Sequence, residues 1–228
     1  MKVLWCERTL SIDMVEQRPE WITEGERELL LGQQKGRLEA RLVAKQLLAE
    51  HAVAVEHLGQ IHIESRDGRD RSTRPRAYVR GSWIPWNLAI SHTQNVVSAV
   101  VAPARYGNVG VDLVDLDSLK VGALDYWFTQ TEKRRGSDPL SVGIIWSLKE
   151  AVYKATNEGT PFFPGQMDTT QLLPLHEWRR VESDMRDRGE ATAMMNDELD
   201  LSLSVADSTI RAIVWHRTPK SAVCEVAR

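Results

Sequence analysis

The run Trp146-Ser147-Leu148-Lys149-Glu150-Ala151-Val152-Tyr153-Lys154-Ala155 constrains the fold of this chain more than any other segment. Helical periodicity puts Trp146, Glu150 and Lys154 on one stripe, each a turn from the next, while Ile144, Ile145, Leu148 and Val152 make the helix largely apolar. Such a helix has to be covered by the rest of the fold, so its acid and base are carried to the margin of a core. Asp138 before Pro139 marks its start as an N-cap with proline at the first helical position, and Gly159 and Pro161 mark its end. Taken alone, Glu150 and Lys154 are an exposed i,i+4 ion pair worth roughly 0.3–0.5 kcal/mol. The upstream run Asn108-Val109-Gly110-Val111-Asp112-Leu113-Val114 changes the weighing. It reads as a buried strand that takes a second carboxylate, Asp112, into apolar surroundings, where it needs a ligand or hydrogen bonds; the plain alternative is an aspartate capping a turn at a strand end. If Asp112 and Glu150 converge, they form a hard-oxygen site suited to magnesium.

The remaining pattern is that of an α+β protein. Lys2 to Trp5 is strand-like, and Thr23-Glu24-Gly25-Glu26 has capping-box spacing for a helix that runs to about His51, with Gly32 and Gly36 as interruptions. Leu58 to Glu64 alternates like a strand, Ser65 to Arg76 is a polar loop rich in arginine, and Asn95 to Val101 is a further strand. In the second half, Asn108 to Val114 is followed by helical segments near Leu119 to Phe128 and Gln130 to Arg135 and then by the motif helix. Leu199 to Val205 and Thr209 to His216 form a hairpin across Ala206-Asp207-Ser208. Residues 166–199 read as a peripheral helix and loop. Each half is a helix on a few strands, with no residue-level repeat visible. The seam at Pro103 to Gly107 predicts an N-terminal lobe over 1–105 and a C-terminal lobe over 106–228.

Composition narrows the function classes. With 228 residues, 42% of them hydrophobic, the chain can bury a substantial core. A formal net charge of -3 gives no global basic field for nucleic acid. Cys6 and Cys224 lie at opposite ends with no Cys/His cluster around them, which speaks against a zinc site or a disulfide framework and predicts a reducing, cytoplasmic setting. Trp5, Cys6, Glu7 and Arg8 interrupt the apolar run that a secretory segment needs, and no window predicts a membrane span.

The Gly-hydrophobic-Asp strand followed by the Trp-Ser-x-Lys-Glu-Ala-x-x-Lys helix resembles the paired motifs of 4'-phosphopantetheinyl transferases, in particular the larger, surfactin-type class. That resemblance implies two similar lobes, each with helix packed on a small, mainly antiparallel sheet, related by a pseudo-twofold, with the active site between them in a monomer. It implies transfer of the 4'-phosphopantetheine arm of coenzyme A to a serine hydroxyl of an acyl- or peptidyl-carrier protein, with release of adenosine 3',5'-bisphosphate. Under it Asp112 and Glu150 bind magnesium, with manganese as the alternative ion, together with the coenzyme pyrophosphate. Lys154 contacts the phosphates, Lys149 stands in the matching block, and Glu150 doubles as the base for the incoming serine. One position departs from the pattern: many members of the class have a glutamate two residues after the strand aspartate, and here that residue is Val114. Asp115 and Asp117 are nearby, but odd spacing sends Asp115 to the opposite face of a continuous strand.

The resemblance extends to the first half. Ser91-His92-Thr93 matches a segment whose histidine contacts the coenzyme, although Ala89 replaces the usual asparagine and Asn87 lies two places earlier. A basic residue on the first-half helix, Lys45 or Arg41, and Arg74 before Pro75 match positions that hold the 3'-phosphate and its surroundings. The plain readings are a structural histidine at a strand entrance and a solvated basic face. The loop with Arg66, Arg69, Arg71, Arg74 and Arg76 also suits steering of an acidic protein toward the site. Two other function classes compete. One is a non-catalytic module that binds coenzyme A or a carrier protein; the other is an RNA-binding protein using that loop, which lacks interleaved aromatics. Trp83, Trp86 and Trp127 read first as packing residues.

Overall fold

Two long helices, each laid on antiparallel strands, organise the chain. The computed structural model describes residues 4–9, 19–26, 35–66, 72–120, 122, 125–156 and 161–217. They form two compact units, one of residues up to Val109 and the other from Gly110 onward. The fold is α+β with mainly antiparallel sheets.

In the first unit β1 (Leu4–Thr9) pairs antiparallel with β6 (Val96–Pro103), which pairs on its other side with β5 (Trp86–His92). A second sheet joins β2 (Ile61–Arg66), β3 (Ser72–Val79) and β4 (Ser82–Trp83) in that order. Helix α1 (Lys35–His51) lies on β5 and β6, and buries Ala40, Val43, Ala44, Leu47 and Leu48 with Leu88, Val97, Ala99 and Val101. The second sheet corrects the loop expected from Ser65 to Arg76. Ser72 to Arg76 belong to β3, whose register Glu64↔Arg76 continues the pairing from Ile61↔Val79. On its other side β3 pairs with β4, Val79↔Ser82, through a tight two-residue hairpin in which Arg80 and Gly81 both take positive φ. Arg69 and Arg71, with Asp67 and Asp70, lie outside the described residues, as does Gly32. The Thr23 capping box opens only a single described turn, residues 24–26.

In the second unit the sheet order is β7-β10-β9-β8, from β7 (Gly107–Asp115), β8 (Glu190–Met194), β9 (Leu199–Ala206) and β10 (Thr209–Arg217). Asp207 and Ser208 close the β9–β10 hairpin with positive φ, and Ala206 faces Thr209 in the register. Two short helices, α2 (Gln130–Lys133) and α4 (Thr169–Leu172), flank the motif helix α3 (Pro139–Thr156) in sequence. Helix α3 begins as its cap chemistry predicts: Asp138 Oδ1 accepts from the Leu140 and Ser141 amides at 3.2 and 3.3 Å. It packs on β10, and its buried Ile144, Ile145, Leu148, Ala151 and Val152 enter one cluster with Leu201, Leu203, Ile210, Ala212 and Val214.

The segment read as peripheral helix and loop is instead part of this core. Helix α5 (Leu175–Arg188) buries Trp178, Val181 and Met185, and β8 supplies the sheet's edge strand with Ala191 and Ala193 facing inward. The charged surface of α5 masked its apolar stripe, since Trp178, Val181 and Met185 follow one another at helical spacing. Gly189 ends the helix in the left-handed region, its amide bonded to Met185 O at 3.1 Å.

One contact sets the distance between α3 and β7. A β-carbon at Gly110 would lie 1.9 Å from Ala151 O and 2.7 Å from Ala155 N, both main-chain atoms that cannot rotate away. At Gly143 the added carbon would meet side-chain ends, Leu116 Cδ2 at 2.7 Å and Ile210 Cδ1 at 2.8 Å. Gly110→Ala is therefore expected to cost about 3 kcal/mol or more and Gly143→Ala about 1 kcal/mol, read as shifts in the urea midpoint. Equal losses at the two positions would contradict this account of the close approach.

Candidate active site

Strand β7 is buried along nearly its whole length, so Asp112 enters the interior with only 6% of its surface exposed. Because no side chain at Gly110 intervenes, α3 lies close enough for Lys154 to reach the strand. Lys154 Nζ donates to Asp112 Oδ1 at 2.7 Å and to Val111 O at 3.1 Å. Glu150, one turn earlier on α3, joins the group electrostatically. Burial, aided by the negative charge of Asp112 and opposed by Lys154, pushes its carboxyl up to about 7. Tyr153 shares this environment, and burial together with the Glu150 charge raises its phenol. The two carboxylates and the lysine thus converge.

Aromatic rings flank Glu150. Phe162 packs edge-on against Trp146, centroids 6.1 Å apart, and tilted against Tyr153 at 4.6 Å. Trp146 lies one turn before Glu150 and Tyr153 nearly one turn after it, so Phe162 spans the stretch of helix surface that carries the carboxylate.

One buried carboxylate, Asp112, and one half-buried carboxylate, Glu150, share a single ammonium here, a local excess of negative charge that a divalent cation would relieve. The donor atoms that Asp112 and Glu150 offer are hard oxygens, which suits magnesium or manganese. Val114 adds no ligand, since its side chain belongs to the apolar core. Asp115 is engaged at the strand end, where its Oδ1 accepts from the Asp117 amide at 3.0 Å. Among the described residues no group of three or more His, Cys, Asp or Glu side chains is gathered in a metal-ligating cluster. A cation at Asp112 and Glu150 would complete its shell with water and substrate oxygens.

Lys149, expected from its motif position to meet the coenzyme, is fully enclosed. Its Nζ lies 2.7 Å from Glu132 Oε2 and donates to Pro164 O at 2.7 Å and Trp127 O at 3.1 Å. Glu132 is the capping-box residue of α2: Oε2 accepts from the Thr129 amide, and Oε1 accepts from the amide and hydroxyl of Thr169. Lys45 has the same kind of setting in the first unit. It is 0% exposed, 2.6 Å from Glu26 Oε2 and 3.0 Å from Trp21 O, and Glu26 in turn accepts from the Thr23 amide and hydroxyl. Desolvation lowers the affinity of Lys45 for its proton, against the pull of Glu26.

Trp21-x-Thr23-x-x-Glu26 and Trp127-x-Thr129-x-x-Glu132 are therefore one motif used twice, each with a tryptophan carbonyl and a glutamate closing on a buried lysine. This corrects the reading that the chain holds no residue-level repeat. The signal was visible as Trp-x-Thr-x-x-Glu, but nothing in the sequence tied either copy to a lysine 17 or 19 residues on.

The other first-unit candidates are spread over three elements. Arg41 on α1 is buried and donates to Ser65 Oγ and to Arg37 O. Ser91 is buried and His92 exposed at the end of β5, where His92 lies over the first turn of α1; a β-carbon at Gly36 would be 2.7 Å from its Nδ1. Arg74 is half-buried in β3. Asn87 has a structural role, donating to Gly107 O at 2.9 Å and Asn108 Oδ1 at 2.8 Å.

The raised Glu150 carboxyl sets a pH dependence of stability. In the metal-free protein the folded state keeps that proton to about pH 7, against an ordinary value of 4.5. The folded state thus holds more protons across that window, so stability falls as pH rises through it and the penalty is complete above it. Glu150→Gln is expected to raise the urea midpoint at about pH 8 and to leave it nearly unchanged at about pH 4. A lower midpoint at the higher pH would mean that the ionised carboxylate is stabilised where it stands.

The comparisons with known proteins fall on the same unit. Residues 108–208 match the family model described as the 4'-phosphopantetheinyl transferase superfamily, a stretch that contains Asp112, Glu150 and Lys154 and leaves out residues 1–107. No curated protein matches the chain. Among the described residues no helix is long and apolar enough to cross a membrane.

Proposed function

We propose, for a chain whose residues 108–208 form a 4'-phosphopantetheinyl transferase superfamily domain, that it transfers the 4'-phosphopantetheine arm of coenzyme A to a serine of an acyl- or peptidyl-carrier protein. The observation that carries this reading is the convergence of Asp112, Glu150 and Lys154 across the close approach at Gly110. The reading includes a larger, two-lobed subclass with a pseudo-twofold and a catalytic site between the lobes 1–105 and 106–228. It also includes a cytoplasmic monomer without nucleic-acid partners.

The residues divide the work by their chemistry. Glu150, at the end of the group, is the base assigned to the serine proton, taken directly or through a water. Lys154 is held by Asp112 and Val111 O at a fixed place on the site wall, where its charge stabilises negative charge developing on phosphate oxygens. When bound to Asp112 and Glu150, magnesium or manganese supplies neutralisation of the diphosphate. The serine oxygen bonds to the phosphorus bearing the pantetheine arm, and the bond from that phosphorus to the bridging oxygen breaks. Adenosine 3',5'-bisphosphate leaves, and the serine proton passes to Glu150. His92, Ser91, Arg41 and Arg74 remain the proposed contacts to the coenzyme from the first unit. Lys45 and Lys149 are the candidates least suited to that role, since their ammonium groups are already neutralised inside the fold.

Intact-protein mass spectrometry of an apo carrier protein, incubated with this protein and coenzyme A with and without magnesium, tests the proposal. The carrier is expected to gain the mass of one phosphopantetheine arm only with the metal, and Asp112→Ala or Glu150→Ala should slow the gain at least about 100-fold. Coenzyme binding without any transfer to several unrelated carriers would support the non-catalytic binding module instead.

A further inference from the structure

Lys149 and Lys45 close the same motif, yet among the described residues only Lys149 reaches a third segment. Lys45 is tied to Trp21 O and Glu26, both at its own capping box. Lys149 makes the corresponding ties to Trp127 O and Glu132, and adds a 2.7 Å hydrogen bond to Pro164 O. Pro164 follows Phe162 and Phe163 in the stretch that returns from the end of α3, and Phe162 is the ring laid on Trp146 and Tyr153. Apart from those ring contacts, the nearest described anchors of this stretch are the Pro164 carbonyl and the turn that starts there, in which Gln166 N donates to Phe163 O at 3.0 Å. A fully buried ammonium with three short contacts is an anchor that solvent does not compete for.

We infer that Lys149 is a positioning residue. Neutralised by Glu132, it ties the segment Phe162–Pro164 to α3 and so keeps Phe162 packed on Trp146 and Tyr153 over the Glu150 face, and it does not bind coenzyme phosphate. The arrangement makes sense of a lysine beside Glu150 that points into the protein. Its partner Glu132 also accepts from Thr169, so one ion pair holds the stretches on both sides of Phe162: Trp127 to Glu132 before α3, and Pro164 to Thr169 after it. Loss of either charge releases the cover without removing any group that touches substrate.

The inference rests on the transferase reading for its kinetic consequence and on geometry alone for the clamp. Hydrogen exchange measured by mass spectrometry on the peptide 160–168 therefore decides the clamp whether or not turnover is found. Lys149→Met and Glu132→Gln are each expected to speed exchange there at least about tenfold, whereas Lys45→Met, which breaks the counterpart in the first unit, leaves that peptide unchanged. Coenzyme A affinity by calorimetry should stay within about twofold of wild type in Lys149→Met and Glu132→Gln alike, while kcat falls about tenfold or more at unchanged KM for the coenzyme. Glu132→Leu/Lys149→Met, which leaves no unpaired charge, should regain a thermal midpoint above either single variant. Should the single variants fold poorly, Phe162→Ala removes the cover alone and is expected to reproduce the fall in kcat with the ion pair intact. The inference is overturned if Lys149→Met weakens coenzyme A binding tenfold while Glu132→Gln does not, or if exchange in 160–168 is the same in all variants. Absence of transfer in the wild type, with fast exchange in the two single variants, would sink the transferase reading and leave the clamp standing.

Discussion

A carbonyl oxygen of α3 occupies the space that a β-carbon at residue 110 would need, and the site depends on that contact. Main chain touching main chain brings helix and strand nearer than any side chain would allow. Lys154 consequently reaches both Val111 O and Asp112 instead of extending into solvent. Asp112, two residues beyond the glycine, lies on the same face of β7 as Gly110, so the feature that admits the helix also directs the carboxylate toward it. Glu150 and Lys154 then follow from helical spacing. A fold that kept the same residues but lost this approach would take the Lys154 ammonium away from a buried carboxylate, a change that costs several kcal/mol.

The charge balance of the group sets Glu150 apart from the other carboxylates. Lys154 satisfies Asp112 by a direct bond, but acts on Glu150 only through its field, which burial and the Asp112 charge together outweigh. The result is a carboxyl near neutrality in its proton affinity, flanked by Phe162, Trp146 and Tyr153. Structural ion pairs in the same protein are balanced differently. Glu132 accepts from Thr129, Thr169 and Lys149 together, and its oxygens are fully used. Glu132, with its oxygens fully used, and Glu150, with its carboxyl pushed up by burial, thus differ sharply although they lie 18 residues apart in sequence.

Much of this was legible in the chain. The cap at Asp138, the apolar faces of α3 and the hairpin at Asp207-Ser208 are local signals, and they reappear with little change. That Asp112, a carboxylate inside an apolar strand, needs a partner was legible too; that Lys154 supplies it was not. Features set by tertiary contact were not. The stripe of Trp178, Val181 and Met185 was hidden among charges, and β3, the middle strand of its sheet, was hidden in a run of arginines. Lys45 and Lys149 were misleading for a related reason. Sequence spacing says which face of a helix a lysine occupies, and does not say that a glutamate from a distant capping box will come to meet it.

The doubled Trp-x-Thr-x-x-Glu arrangement bears on why buried ion pairs persist in either unit. Replacing such a pair by apolar residues of similar volume is often neutral or stabilising, so net stability is a weak reason to keep two of them. What an ammonium offers and a methyl group does not is direction: it must find carbonyl and carboxylate oxygens, and only one register of the neighbouring segments presents them. In the first unit that selects the position of Trp21 against α1. In the second it selects the positions of Trp127 and Pro164 together. An apolar contact would let the Phe162 segment slide along α3 at little cost, whereas a bond from Lys149 to one carbonyl holds it at a single register. The added tie is thus a matter of geometric precision, and it occurs in the unit whose helix carries Glu150.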